Sequence, residues 1–440
     1  MSASTPRSDP GRRLGLWSAA ALVVANMVGA GVFTTSGFAL GDLGSREVVL
    51  WAWAVGGLLA TCGALSYGAL ARRIPESGGE YTFLSVTVHP LAGFLAGWIS
   101  LLAGFTAPIA AAALALQAYL GPVLDAELDA EWSTGWLGTG AILAAGAMHG
   151  LRLREGVVAQ NIAVAVKLVA IAVFVVMGAA RLPEVVAAPG PAPPFELGAF
   201  AVTLIWISFS YSGWNAAVYV AGEVRNPQRN LQRSLLLATG LVTAVYLALN
   251  AVFVYAAPVS ALAGVPDVGG VAAEHLGGPG LRAGLSVLVS LALFTSISSM
   301  VMAGPRVYAR MAEDGLFPAI FGRRGDVPGA AVALQVVLAI AVVWLTELRD
   351  LLSYIGFTLG LSAAATVVGL MVLRRREGPE RVPVPGYPWV PLLFVGTTLA
   401  ASGFLVQRQP LEAAFGLLTA ASGIPLYFLF WRIRRFRQRA

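Results

Sequence analysis

Two short runs of small and polar residues and a single lysine are the parts of this sequence that can do chemistry. The first run, NMVGAGVFTT (residues 26–35), sets Gly29, Ala30 and Gly31 in the middle of an apolar stretch. The second, LIWISFSYSGWNAAVYV (204–220), does the same with Ser208, Ser210, Ser212 and Gly213. One such run is explained by close helix packing. Two of them point instead to helices that stop and restart, freeing backbone groups that lipid cannot satisfy and that must line a cavity or be buried in protein. A stopped helix presents carbonyls and a restarted one presents amides with partial positive charge. In the first run Met27 and Val28 supply the carbonyls, and Gly29, Ala30 and Gly31 lead into the amides; in the second, Phe209 and Ser210 supply carbonyls and the residues after Gly213 supply amides. Such a pair complements the carboxylate and the ammonium of an amino-acid zwitterion. Glycine lets the ligand approach the backbone with no Cβ in the way.

The elements that must position these runs follow from composition. Hydrophobic residues make up 57% of the 440 and charged ones only 12%, which excludes an ordinary soluble domain. About twelve apolar stretches are long enough to cross some 30 Å of hydrocarbon. We read them at 16–41, 47–70, 91–119, 135–150, 157–180, 196–222, 234–256, 282–304, 329–346, 351–373, 388–406 and 411–431. Period-2 alternation is absent, so the expected fold is all-α, a polytopic membrane protein. The interruptions fall in spans one and six. Paired breaks in corresponding positions indicate two inverted repeats of five spans, 16–180 and 196–373, with two extra spans over 388–431, a tail at 1–15 and a basic tail at 432–440.

Arg46, Arg181, Arg282, Arg349 and Arg408 fall in one set of alternate loops, Lys167 lies within a span, and the remaining 23 of the 29 basic residues fall in the other set. The positive-inside bias places both termini in the cytoplasm. The net charge of +6 is this bias together with contact to anionic lipid, and no nucleic-acid partner is expected. GRRLGLWSAAALVVANMVGAG is read as an uncleaved first helix. Cys62, the one cysteine, lies within a span, so no internal disulfide forms. His89, His149 and His275 are far apart and suggest neither a metal cluster nor a catalytic pair. No cofactor or metal is expected.

Lys167 stands about ten residues from either end of VVAQNIAVAVKLVAIAVFVVMG, roughly 15 Å from each surface. A charged lysine at that depth costs on the order of 2.5–3.5 kcal/mol and must face the bundle interior. No carboxylate lies at comparable depth in any span, leaving carbonyls of the broken first helix and hydroxyls as acceptors.

At this point the motifs resemble a known family. MVGAGVF is similar to the G-S/A-G-I/V-F motif of the amino acid, polyamine and organocation transporters, and FSYSGWNAAVYVAGEVRNPQRNLQRSL resembles the sixth span and following loop of their L-type amino acid branch. RRIPESGGEYTFL (72–84), GPRVYARMAEDGLFP (304–318) and VPVPGYPWVP (382–391) resemble further family motifs in the same order. The resemblance implies a LeuT-type fold with broken helices one and six, and amino acid transport by alternating access. It implies that Val28, Gly29, Ala30 and Gly31 hold the substrate carboxylate, that carbonyls near Phe209 and Ser210 receive the amine, and that Phe209 closes over the substrate as a gate. Ser212, Gly213, Trp214 and Asn215 would shape the second break. It implies that Lys167 replaces the sodium ion of sodium-coupled relatives, bridging the first break to span eight, where Ser296, Ser298 and Ser299 are partner candidates. Where many relatives carry serine this chain has Ala30. The extracellular cysteine that tethers eukaryotic relatives to an ancillary chain is absent from GPVLDAELDAEWSTGW, so no disulfide-linked heavy chain is expected.

The expected activity is sodium-independent exchange of neutral L-amino acids in a bacterial-type inner membrane, with Lys167 as a fixed tether. Proton-coupled symport, with Lys167 carrying the proton, is the alternative. An enzyme would need a polar cluster at depth and a channel would need a pore lined along its length; the sequence offers neither. Glu80, Glu223 and Arg306 are candidates for an inner gate, and Tyr354 and Thr106 for the cavity wall, though ordinary anchoring and core packing explain them equally well.

Overall fold

The computed structural model describes residues 14–124, 135–150, 157–185, 193–322 and 329–439. The chain starts with α1 (Leu16–Met27) and α2 (Ala30–Leu43), followed by α3 (Arg46–Arg73) and a short α4 (Gly79–Thr87). Next, α5 (Pro90–Ile99) and α6 (Ala107–Leu124) form one long span joined by a π-helical segment, Ser100–Thr106. α7 (Trp136–Gly150), α8 (Val157–Val185) and α9 (Leu197–Ser210) follow; α9 leads through a turn into a 3-10 segment, Ala216–Glu223. The remaining helices are α10 (Pro227–Tyr255), α11 (Val259–Leu262), α12 (Val268–Glu313), α13 (Gly329–Leu345), α14 (Leu348–Glu377), α15 (Trp389–Arg408) and α16 (Pro410–Arg439). Among the described residues there is no strand, only an isolated bridge between Leu14 and Val224.

Among the described residues eight helices are long and apolar enough to cross a bilayer, and α1 with α2, bent by 40° at their break, make a ninth. The three further spans read from sequence coincide with α7, α9 and α13, which have 15, 14 and 17 residues. The expectation of about twelve spans rests on these shorter helices. Outer members of the bundle carry their apolar residues outward: Val176 of α8 is 68% exposed and Leu418 of α16 62%, as a lipid-facing surface requires.

The first break is backbone-made. Val28 leaves the helical region (φ −77°, ψ 86°), Gly29 is extended (φ −132°, ψ −155°), and α2 restarts at Ala30. The second differs from the two apolar half-helices expected on either side of it. α9 is a regular helix to Ser210, but beyond the turn at Gly213 the chain runs as a 3-10 segment, with non-helical angles at Val220. Long α10 packs along α3 and α1, and α12 along α6, while α9 is held by α2, α14 and α15. The two broken elements are thereby clamped between unbroken ones.

The bundle is closed at its predicted outer end. α11 and the first turns of α12 fold onto α2, with Gly264 N–H donating to Gly37 O at 2.8 Å. The Tyr119 hydroxyl of α6 donates to Phe33 O (2.6 Å) and accepts from Gly269 N–H (3.0 Å), joining three elements through one side chain. Arg349 pairs with Asp42 and lies 5.2 Å from the centroid of the Trp206 ring, which in turn meets Phe38 edge to face. A cavity of about 730 Å³ opens the other way, from Gly29 and Gly213 down to Ser77, Glu223 and Glu313 at the predicted inner end.

Gly213 carries the tightest backbone demand. Its φ of +95° lies in the left-handed half of conformational space, and an added Cβ would sit 2.8 Å from the carbonyl of Asn26. Gly213→Ala is expected to cost about 1–2 kcal/mol from the backbone alone, with the clash in addition. Thermal unfolding in detergent should show a lower Tm for this variant and none for Gly240→Ala, whose Cβ would meet nothing within 4 Å.

Candidate functional site

The two breaks meet. An added Cβ on Gly31 would lie 2.6 Å from Ser210 Cα, so glycine at 31 is what allows the backbones of α2 and α9 to touch. Across that contact Thr35 Oγ1 and Ser210 Oγ are hydrogen-bonded at 2.9 Å. Gly29 has no side chain to cap α2, and the opening amides of the helix lie where Gly29, Ala30 and Gly31 line the cavity. A Cβ at Gly29 would stand in ordinary van der Waals contact with Ser296 Oγ at 3.9 Å and Met27 O at 4.0 Å.

Lys167 reaches the first break. Its Nζ donates to Val28 O at 2.8 Å and to Ser296 Oγ at 3.3 Å, and the side chain is buried. Ser296 itself lies 3.2 Å from Val28 O and 3.1 Å from Ala292 O, so α8, α12 and the end of α1 converge on one carbonyl. Of the three serines named as partners, only Ser296 touches Lys167. Ser298 bonds His149 Nε2 (2.8 Å), and Ser299 lines the cavity. The spacing of the run FTSISSM did not distinguish them, because a helix turns each serine to a different face.

A residue that sequence reasoning missed joins the two breaks. The Tyr246 hydroxyl of α10 lies 2.5 Å from Met27 O and 3.1 Å from Ser210 O, sharing its one proton between the last carbonyls of the two broken helices. Tyr246 is fully buried, packed edge to face on Trp53 with centroids 5.4 Å apart and tilted against Tyr211 at 5.1 Å. Trp53 donates to Ser36 Oγ (2.9 Å), which donates to Asn250 Oδ1 (2.6 Å), and Asn250 donates to Tyr246 O (2.8 Å). Three carbonyls expected to be open are therefore engaged: Val28 O with Lys167 and Ser296, Met27 O and Ser210 O with Tyr246. A carbonyl has two lone pairs, so Met27 O and Ser210 O each keep one beyond the Tyr246 bond, whereas Val28 O accepts from both Lys167 and Ser296. Phe209 O accepts from Ser212 N–H at 2.8 Å.

Phe209, Ser210, Ser212, Gly213, Trp214 and Asn215 all line the cavity, whereas Val28 is buried behind it. Trp214 is held by Tyr67 (4.7 Å between centroids) and Phe394 (6.2 Å). Asn215 points to Glu80, where a second network appears. The buried Glu80 carboxylate of α4 accepts from Tyr67 (2.8 Å), Asn215 (3.0 Å) and Tyr219 (3.0 Å), tying the loop helix to the 3-10 segment beyond the second break. Burial pushes the Glu80 carboxyl above its ordinary range, against the three donors that pull it down. Arg306 and Glu223 line the cavity beside Ser77 and Glu313, and neither bonds Glu80. Tyr354 bonds Thr419 (2.9 Å), and Thr106 is buried at the end of the π-helical segment; neither lines the cavity. The described residues contain no group of three or more His, Cys, Asp or Glu that could hold a metal.

What the arrangement can do is bind a small molecule with both a cationic and an anionic end. The amides that open α2 suit an anion, and the carbonyls at the ends of α1 and α9 suit a cation.

Comparison with known proteins gives a consistent picture. Residues 14–425 match the amino acid permease family model. The chain is 28% identical over 442 residues to the large neutral amino acids transporter small subunit 2 of Homo sapiens, covering 96% of this chain and 81% of that protein. It is 26% identical over 431 residues to the serine/threonine exchanger SteT of Bacillus subtilis (95% and 96% covered). To the Asc-type amino acid transporter 1 of Mus musculus it is 26% identical over 438 residues (96% and 82%).

Two outcomes follow from the networks. Tyr246→Phe leaves the ring packing but removes the hydroxyl shared by Met27 O and Ser210 O; ligand binding to the purified protein should weaken about tenfold or more, that is ~1.4 kcal/mol, and the Tm should fall as well because two buried carbonyls lose their donor. Because the folded state holds the Glu80 proton more tightly than the unfolded chain does, stability falls as pH rises from the ordinary glutamate value through the raised one. Glu80→Gln should flatten that slope of Tm against pH.

Proposed function

The chain belongs to the amino acid permease family, and we propose that it exchanges neutral L-amino acids across a bacterial-type inner membrane without sodium. Members of this family are polytopic transporters of the LeuT-type fold and not enzymes. The observation that carries the reading is the meeting of two helix breaks at one cavity, each ending in a carbonyl that Tyr246 holds. The carboxylate of the substrate lies on the amides led by Gly29, Ala30 and Gly31, and its ammonium on the carbonyl ends of α1 and α9. Phe209 is the gate above the substrate, and Ser212, Gly213, Trp214 and Asn215 keep the second break open. Lys167 stands where a cation would otherwise be needed, fixing Val28 O to α12. It couples an occupied site to helix movement without leaving its place.

The same fold element offers two five-helix repeats, 16–180 and 196–373, whose relative movement exposes the site to either side. Both termini lie in the cytoplasm, following the distribution of arginine, so the open end of the cavity faces inward. Cys62 is buried in α3, which supports a chain working without a disulfide-linked partner.

A second reading, proton-coupled uptake, is favoured by one feature. Among the described residues the partners of Lys167 are a carbonyl and a hydroxyl, with no carboxylate to hold its charge. Proteoliposomes separate the two. Uptake of radiolabelled alanine and leucine, with arginine as the charged control, is expected to require unlabelled amino acid inside and to be indifferent to sodium and to an inward proton gradient. Lys167→Met should lower the rate at least tenfold. Accumulation in empty vesicles driven by the proton gradient would establish the second reading instead, and no uptake of any amino acid would overturn both.

A further inference from the structure

The predicted inner end of α10 carries charge that the protein does not use. Arg229 and Arg233 lie one turn apart on this helix and are both exposed, and among the described residues neither side chain makes a hydrogen bond or an ion pair. Arg72, near the end of α3, stands beside them: its Nη1 reaches only Gln232 Oε1, at 3.5 Å. Other arginines at this end are taken, Arg73 by Glu377, Arg310 by Asp314, Arg374 by Val382 O and Arg376 by Thr87 O. α10 contains no acidic residue, and the one in α3, Glu47, is at the opposite end of that helix.

Close packing brings the three together. An added Cβ on Gly57 would lie 2.5 Å from Thr243 Cγ2, and one on Gly68 would lie 2.7 Å from Gln232 Cγ, so α3 and α10 run antiparallel in contact. Arg72, one turn beyond Gly68, therefore arrives at the level of Arg229 and Gln232. From the arginines the exposed face of α10 continues through Leu237 (47%), Gly240, Leu241 (49%) and Ala244. Positions 229, 233, 237, 240, 241 and 244 recur at three- and four-residue spacing, which makes them one face. A Cβ on Gly240 would meet nothing within 4 Å, so the backbone there is open to the membrane. Arg233 immediately precedes the span read at 234–256, and long basic side chains reach toward the interface. The guanidinium groups thus stand at headgroup depth, and the apolar stripe begins one turn deeper.

The geometry points to a site for one anionic phospholipid of the inner leaflet, its phosphate held by Arg72, Arg229 and Arg233 and its acyl chains laid along Leu237, Gly240 and Leu241. Guanidinium forks match phosphate oxygens, and an anionic headgroup supplies the negative charge that this corner of the protein lacks. A zwitterionic headgroup brings an ammonium against three like charges with no carboxylate to receive it. A soluble phosphate has no chains to cover the stripe. The lipid lies on the helix whose Tyr246 joins the two breaks, so its presence steadies the element on which the central site depends. This site goes beyond the general attraction of a basic surface to a membrane, and it holds whatever solute the protein carries.

The test is thermal unfolding of the full chain in an uncharged detergent, with phosphatidylglycerol, phosphatidylcholine or inorganic phosphate added at equal concentration. Phosphatidylglycerol should raise the Tm by about 3 °C or more over phosphatidylcholine, and inorganic phosphate should not. In Arg229→Gln/Arg233→Gln that difference should disappear. In Arg375→Gln/Arg381→Gln, which removes the same charge from exposed positions away from α10, it should remain. Equal loss in both pairs would show attraction by charge alone, an equal shift with inorganic phosphate would show a site for a free anion, and no shift with phosphatidylglycerol would show no site; each of these overturns the inference.

Discussion

Everything in this structure depends on the fact that a bilayer offers no hydrogen bonds. A helix may stop in mid-membrane only if every freed backbone group finds a partner inside the protein or in a cavity. Here two helices stop, and the carbonyls at the stops are claimed by residues from unbroken neighbours: Val28 O by Lys167 and Ser296, Met27 O and Ser210 O by Tyr246. The amides of α2 have no side-chain cap. The protein thus supplies its own partners for the carbonyls and leaves the amide end of the site to be met from the cavity.

The same constraint explains why the cationic partner is a lysine. A carbonyl cluster at depth concentrates negative potential, and an ammonium buried beside it relieves that potential without the geometry a bound metal ion would demand. It also explains the division of labour between the two ends of the bundle. At the predicted outer end Tyr119, Arg349, Asp42 and Trp206 link α2, α6, α9 and α14. At the inner end Glu80 holds the loop helix to the 3-10 segment through three donors, while the cavity beside it stays open. Closure at one end and opening at the other are built from different chemistry, a surface ion pair in one case and a buried carboxylate network in the other. Their responses to salt and pH should differ accordingly.

Much of this was legible in the residues. An all-helical membrane fold follows from composition, and the two breaks follow from Gly29-Ala30-Gly31 and Ser210–Gly213, because small and polar residues at mid-span have few other uses. Lys167 announced its own importance, since a lone charge at that depth must be partnered. The partners were another matter. Tyr246 sits in the run TAVYLALN, where nothing distinguishes a tyrosine packed in the core from one that bridges two carbonyls, 219 and 36 residues away in sequence. Glu80 was visible as a loop carboxylate but not as the acceptor for Tyr67 of α3 and for Asn215 and Tyr219 beyond the second break, two stretches far apart in sequence. The second break was placed correctly, yet its continuation as a 3-10 segment depends on clamping by α1, α4 and α10, which no local pattern records.

The central claim is that the two breaks read both ends of one zwitterion. The most direct measurement is binding to the purified protein of L-leucine beside its decarboxylated analogue, isopentylamine, and its deaminated analogue, 4-methylpentanoate, by competition against a radiolabelled amino acid. The account predicts that each analogue binds at least a hundredfold more weakly than leucine, because each leaves one helix end unmet, about 2.8 kcal/mol at about 1.4 kcal/mol per tenfold. Binding of either analogue within a few-fold of leucine would contradict it, for then only one of the two breaks would be part of the site.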